Sequence, residues 1–267
     1  MPSYFITGAS RGLGFEFLQQ LSSNSENIVI GLARNKAATD KKIASQFPGR
    51  ENVFIVEGDV TDLEGLERAA KETEKITGGG LDYVIANAAV SSKGGKTLGQ
   101  LDLVTLKEDL INCFNVNVVG VAATFNAFLP LIKKGQTKKV ITISTGLADL
   151  DVINDFEIDV HGPYSISKAA TNATVAKYNA EFKQEGILFM GISPGVVDTG
   201  NYANLTPEEA AVGARLMKKL MEYKPDFAGP ITPEESVKKV MNVIWNSSIE
   251  KGSGGAFVSH FGNKTWI

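Results

Sequence analysis

Short apolar runs punctuate the chain at residues 4–7, 28–33, 53–56, 83–86, 140–143, 187–192 and 256–258. Longer amphipathic stretches separate them. Residues 13–21 open the series, and 63–76 place Leu63, Leu66 and Ala70 on one helical face. Residues 116–132 are apolar almost throughout, so a helix there is expected to be buried on most sides. Residues 164–182 are helical in composition, and 233–245 carry Val237, Val240, Met241 and Ile244 at helical spacing. Strands alternating with helices predict an α/β fold: a doubly wound parallel sheet of about seven strands with helices on both faces. No linker, internal repeat or low-complexity stretch divides the chain. A length of 267 residues allows one or two domains, and the unbroken pattern predicts a single one over 1–267.

One stretch departs from the alternation. Residues 199–231 hold Gly200, Pro207, Pro225, Gly229 and Pro230 around one expected helix, 208–221. Pro207 suits the first turn of that helix and Thr206 its N-cap. An insertion after the sixth strand lies at the ligand-binding end of such a sheet, so this segment is expected to be a substrate lid. Its Tyr202, Met217 and Phe227 either touch substrate or anchor the lid.

Composition narrows the function classes. Hydrophobic residues make up 43% and charged residues 21%, the proportions of a soluble globular protein. A net charge of −3 gives no broad basic face for nucleic acid. One cysteine, Cys113, and two histidines, His161 and His260, supply neither an internal disulfide nor a Cys- or His-rich metal site. The opening residues lack the cationic and apolar regions of a signal peptide, and the apolar runs look shorter than the ~20 residues of a membrane span. A cytoplasmic protein with no membrane and no nucleic-acid partner is therefore expected. Glycine, 27 of 267 residues, exceeds the usual share of roughly 7% and suits backbone turning tightly against a ligand.

The first strand ends in Thr7-Gly-Ala-Ser-Arg-Gly-Leu-Gly14, with glycines at Gly8, Gly12 and Gly14. A glycine-rich turn between a strand and a helix lets the backbone approach a pyrophosphate, and the helix N-terminus supplies free N–H groups and a positive dipole end. This makes the fold Rossmann-like and points to a dinucleotide. An NAD site usually places an acid about 20 residues beyond the motif to hold the ribose 2′-hydroxyl. That place holds Arg34, preceded by Ala33. A guanidinium fits a 2′-phosphate, and Arg11 adds a second cation, so the expected cofactor is NADP(H).

Further along stands Tyr164-Ser-Ile-Ser-Lys168. With the glycine loop, it resembles the short-chain dehydrogenase/reductase family nearly end to end. The loop, with Gly8, Ser10, Arg11, Gly12, Leu13 and Gly14, looks like the family's TGxxxGxG. Asp59 and Val60 look like its adenine-contacting pair, and Asn87-Ala88-Ala89 like its N-A-G segment with alanine for glycine. Asn117 matches its helix asparagine. Pro194, Gly195, Val197 and Thr199 resemble its P-G-x-x-x-T segment, which holds the carboxamide and diphosphate. Arg34 and the segment 144–147 look closest to NADPH-dependent carbonyl reductases, including fungal ketoreductase-like members.

Two departures accompany the resemblance. Where the family has a serine pair, this chain has Ser144-Thr145; register favours Thr145 as the catalytic hydroxyl, and either could donate to a carbonyl oxygen. The segment before Tyr164 is longer than usual and carries Asp149, Asp151, Asp155, Glu157 and Asp159, a solvated loop or a pocket wall suited to a cationic or polyhydroxylated substrate.

Residues i and i+4 share a helix face, so Tyr164 and Lys168 can meet. A neighbouring ammonium lowers a phenol's pKa, and the tyrosine then exchanges a proton with a carbonyl or alcohol oxygen while the cofactor carries the hydride. By the resemblance, Asn117 holds a water that links Lys168 to solvent, and a homodimer or homotetramer forms through the helices over 116–132 and 169–182. The leading expectation is an NADPH-dependent oxidoreductase acting on a small carbonyl or alcohol. The alternatives are an imine reductase, epimerase or cyclase on the same fold, or a non-catalytic NADP sensor, which would not need the Tyr164–Lys168 pair. Of the remaining residues, Cys113 is expected in the core, Trp245 against the last helix, and His161 in a loop or at the pocket.

Overall fold

The computed structural model describes residues 1–92, 96–200 and 206–267. Every apolar run forms a strand within one residue of its expected bounds. These are β1 (Ser3–Thr7), β2 (Ile28–Ala33), β3 (Val53–Glu57), β4 (Tyr83–Ala86), β5 (Lys139–Ile143), β6 (Leu188–Ser193) and β7 (Phe257–Ser259). They pair in parallel in the order β3-β2-β1-β4-β5-β6-β7. The central strands are short continuous apolar runs because helices cover both faces. The chain winds outward from β1 to β3 and then returns to β1's other side with β4. That reversal opens a crevice at the carboxyl ends of β1 and β4, where open α/β sheets bind ligands.

The helices are α1 (Gly12–Leu21), α2 (Lys36–Gln46), α3 (Leu63–Thr77), α4 (Leu103–Phe114), α5 (Gly120–Lys134), α6 (Leu150–Asp155), α7 (Gly162–Phe182), α8 (Pro207–Tyr223) and α9 (Pro233–Asn246). On one face of the sheet, Phe17 and Leu18 of α1 meet Val237 and Met241 of α9. On the other, Leu66 of α3, Phe125 and Phe128 of α5 and Val175 of α7 form a second core. A smaller third cluster joins Val152, Ile158, Val160 and Trp266 to Val212 and Leu216 of α8. One sheet and its two covering layers make a single domain.

Caps fix several boundaries. Asn35, Asp62 and Thr232 accept backbone N–H groups at the starts of α2, α3 and α9. Thr206 caps α8 with Pro207 in its first turn, as the sequence predicts, and Glu209 reaches back to complete a reciprocal capping box.

Some expectations require correction. Helices α4 and α5, joined by a π-turn over Asn115–Val119, form one continuous helix, Leu103–Lys134, of 32 residues. It is long and apolar enough to cross a membrane, contrary to the impression left by short apolar runs. Half of its most apolar window is buried within the fold, where α5 packs against the sheet. The residues of 116–132 are largely covered apart from Val119 on the π-turn; further uncovered apolar side chains are Leu103, Val104, Ile111 and Phe114 on α4 and Ile166 on α7. Trp245 is 54% exposed and reaches the Tyr4 hydroxyl instead of packing α9, whereas Cys113 is fully buried.

Candidate active site

The glycine loop leaves β1 through Gly8, whose φ of 68° lies in the left-handed region and whose missing Cβ would stand 2.9 Å from the Ala88 backbone. At Gly14 a Cβ would fall 2.2 Å from the Gly8 carbonyl oxygen, so α1 can start this close only on glycine. Thr7 and Asn87 lace the loop to the end of β4. Thr7 Oγ1 accepts from the N–H groups of Asn87 and Ala88, each at 3.0 Å. Asn87 Nδ2 donates to the Thr7 carbonyl at 2.9 Å. Ser10, Arg11, Gly12 and Leu13 form the turn over the first N–H groups of α1, with Arg11 at its N-cap. These open donors and the close backbone fit a dinucleotide diphosphate. Across the crevice, the Thr199 methyl lies 3.5 Å from where a Cβ on Gly12 would sit. Pro194, Gly195 and Val197 lead there from β6, tied down by Ser236 Oγ donating to the Pro194 carbonyl at 2.7 Å.

At the end of β2, Arg34 extends into solvent and approaches Asp59 at 3.8 Å. An exposed pair at this distance contributes little, so Arg34 is available to an anion. It lines an open cavity of about 490 Å³ with Gly58, Asp59, Asp62 and Arg68. Val60 is buried behind this rim. Lys42, which no motif singles out, rests its ammonium 3.2 Å from the Ser10 carbonyl and 3.8 Å from the Phe15 ring centroid.

The other half of the crevice carries the titratable groups. Tyr164 and Lys168 stand one turn apart near the start of α7. Lys168 is 2% exposed, its Nζ donating to the Ile143 carbonyl at 2.6 Å and lying 5.9 Å from the Tyr164 ring centroid. The sequence expectation is that Lys168 lowers the tyrosine pKa. Here burial dominates both groups. It pushes Tyr164 up to about 12, opposed by a hydrogen bond with the Thr145 side chain, and pushes Lys168 down to about 8.

The two hydroxyls after β5 point in different directions. Ser144 is buried and donates to Asn172 Oδ1 at 2.7 Å. Thr145 is only partly buried, caps the short turn over Gly146–Ala148, and bonds Tyr164. Asn117 sits in the π-turn, a helix distortion frequent at functional sites. Its side chain accepts from the Val90 N–H and donates to the Val90 carbonyl and to Ser167 Oγ, all at 2.9 Å. Its carbonyl accepts from Thr171 Oγ1 at 2.7 Å. Asn117 thereby ties the chain after β4 to α7. Ser92, also absent from the sequence reading, accepts the Tyr164 N–H at 2.8 Å.

The acidic segment before Tyr164 is partly spoken for. Asp149 caps α6, while Asp159 pairs with Arg215 at 3.3 Å and Glu157 with Lys219 at 3.4 Å, both cations on α8. Asp159 and Glu157 thus reach α8 beside the crevice through largely exposed pairs, each of which contributes little. His161 begins α7 with a φ of 55°, and burial lowers its pKa. Met217 and Phe227 belong to α8 and the turn beyond it; Tyr202 lies outside the described residues.

The comparisons with known proteins agree with this geometry. The family model for short chain dehydrogenases matches residues 3–210. The chain is 52% identical over 271 residues to the short chain dehydrogenase virK of Hypocrea virens, covering 100% of both. It is 48% identical over 271 residues to the short-chain dehydrogenase/reductase AacuF of Aspergillus aculeatus, again covering 100% of both. An NADPH-bound carbonyl reductase from chicken fatty liver superposes with a TM-score of 0.77 at 26% identity, covering 98% of each chain. With the parallel sheet, the glycine loop and the Tyr164–Lys168 turn, these likenesses place the chain in the short-chain dehydrogenase/reductase family of oxidoreductases.

Proposed function

We propose that the protein is an NADPH-dependent reductase of a ketone or aldehyde, able to run in reverse on the alcohol. The observation that carries this reading is the convergence of Thr145, Tyr164 and Lys168 at one end of the crevice whose other end is the glycine loop. When bound, the reduced nicotinamide supplies a hydride to the carbonyl carbon. Tyr164 gives its proton to the carbonyl oxygen, yielding an alcohol and the oxidised cofactor. Burial keeps the Tyr164 phenol protonated at neutral pH, so the proton to be donated is in place; the same burial makes it a weaker acid than a free phenol, and the Thr145 hydrogen bond works against that. The Thr145 hydroxyl donates a hydrogen bond to the same oxygen as charge develops on it. Ser144, spent on Asn172, maintains the local fold. Lys168, one turn from Tyr164 with its ammonium held by the Ile143 carbonyl, would bond the nicotinamide ribose and lower the tyrosine pKa once the cofactor is bound, and Asn117 holds the segment after β4 against α7.

Arg34 and Arg11 support NADP over NAD. The sheet end beneath Pro194, Gly195, Val197 and Thr199 would receive the nicotinamide side, and Asp59, Val60, Asn87 and Ala88 the adenosine side. Residues 199–231 serve as the substrate lid; among those described, α8 carries it, with Arg215 and Lys219 pairing to Asp159 and Glu157. The exposed apolar residues of α4 and α7 support a homodimer or homotetramer. The reading is tested by NADPH oxidation against a panel of ketones, aldehydes, quinones and imines. Turnover of carbonyls is expected. Binding of NADPH without turnover of any compound would favour a sensor, and turnover confined to imines would move the protein to the imine-reductase class.

A further inference from the structure

Trp266 lies about one hundred residues from the catalytic motif and belongs to none of the family's segments, yet it touches the turn that carries Thr145. Its side chain is 3% exposed and stacks on Phe257 of β7 with centroids 4.3 Å apart. The backbone N–H of Trp266 donates to the Tyr223 hydroxyl at the end of α8, at 3.1 Å. Against its other side lies Gly146, where a Cβ would stand 2.6 Å from Trp266 Cβ and 2.9 Å from Cγ. The tryptophan occupies the space any larger residue at 146 would need. Gly146 follows Thr145 directly, and its N–H donates to Ser193 Oγ at 3.0 Å. In the same turn Thr145 Oγ1 accepts from the Leu147 N–H at 3.3 Å. The turn is thus held by Ser193 from the strand side and by the tryptophan from the side of α8.

We propose that Trp266 is a positioning residue for the Thr145 hydroxyl, acting through its contact with Gly146. The proposal rests on the reading of Thr145 as a hydrogen-bond donor to the substrate oxygen. Removing the indole leaves a cavity beside Gly146 into which the turn can relax. A group displaced by about 1 Å from its working geometry can cost up to about 10²-fold in rate. The glycine loop and Arg34 lie on the opposite side of the crevice from this contact, so NADPH affinity is expected to survive.

A double-mutant cycle separates this role from general loss of packing, because coupled residues fail to add while independent ones multiply. Turnover at saturating NADPH is measured for the wild type, Trp266→Ala, Trp266→Phe, Thr145→Val and the double variant Trp266→Ala with Thr145→Val. NADPH binding is followed by fluorescence in each. Trp266→Ala is expected to lose roughly tenfold to a hundredfold in kcat, with NADPH affinity kept and most of the loss recovered in Trp266→Phe. In the Thr145→Val background the same change is expected to cost less than about threefold, since the hydroxyl it positions is gone. Equal losses in both backgrounds would overturn the proposal, as would wild-type kcat in Trp266→Ala. If Thr145→Val itself keeps wild-type kcat, the reading of Thr145 fails, a result distinct from failure of the coupling alone. Should Trp266→Ala not fold, Gly146→Ala tests the same contact with the indole in place. It is expected to lower kcat only when Thr145 is present, and an unchanged kcat would refute the inference.

Discussion

The two adjacent hydroxyls after β5 make opposite demands, and exchanging their losses tests the assignment of roles. Thr145→Val keeps the shape of the side chain and removes its oxygen. If that hydroxyl donates to the carbonyl oxygen of the substrate, its loss resembles removal of one oxyanion donor, about 10²–10³-fold in kcat or roughly 3–4 kcal/mol of transition-state stabilisation. Thr145 is only partly buried, but its oxygen caps the turn over Gly146–Ala148, so stability should fall by about 1 kcal/mol. Ser144 has the reverse profile. It is 2% exposed and bonded to Asn172 Oδ1 at 2.7 Å, so Ser144→Ala strands that acceptor and should cost about 1–3 kcal/mol of stability. Its effect on kcat should stay within a few-fold while the protein remains folded. The assay pairs steady-state NADPH oxidation on one carbonyl substrate with urea unfolding followed by tryptophan fluorescence. A large kcat loss in Ser144→Ala beside near-normal turnover in Thr145→Val would refute the assignment.

Other expectations follow from the same geometry. Arg34→Asp should lower the preference for NADPH over NADH by about ten- to a hundredfold, because a charge-assisted bond to phosphate contributes roughly 1.5–3 kcal/mol; an unchanged ratio of KM values would contradict it. Burial sets the folded pKa of Lys168 at about 8, below its ordinary value of 10.5. Between those values the unfolded chain binds more protons, so this group's contribution makes stability rise with pH. The melting temperature of the ligand-free wild type should therefore gain on that of Lys168→Met from pH 8 to pH 10, and a constant difference would count against the burial argument. If α4 forms an interface, Ile111→Asp should shift the mass in light scattering toward the monomer, whereas a wild type already monomeric at micromolar concentration would remove the proposal.

Much of the fold is legible in the sequence for a physical reason. A parallel sheet covered on both faces turns its strands into short apolar runs, and such runs stand out at β2 and β4. Helices that carry little buried apolar surface are harder to see. In α2 only Thr39 and Ile43 are buried, and in α4 the buried residues are Asp109 and Cys113 while Leu103, Val104 and Ile111 face outward. Helix α6 is short, acidic and defined by its Asp149 cap.

The site divides along similar lines. Local motifs mark the glycine loop and the Tyr164–Lys168 turn, because chemistry fixes their spacing. The choice between Ser144 and Thr145 depends on which way each side chain leaves the end of a strand, and strand alternation no longer applies there. Lys42, Ser92 and Trp266 reach the crevice only through tertiary packing, so no local pattern announces them. The tryptophan pair is instructive: Trp245 lies on an apolar helix face yet is exposed, while Trp266 lies in an irregular segment yet is buried.

The most direct test of the proposed chemistry is the kcat of Tyr164→Phe on a confirmed carbonyl substrate at saturating NADPH. The variant loses one hydroxyl and keeps its ring, so NADPH binding, followed by fluorescence, should match the wild type. Turnover should fall by about 10²–10⁴-fold, the range of general acid catalysis. Wild-type turnover in that variant would show that the proton comes from another group and would contradict the mechanism.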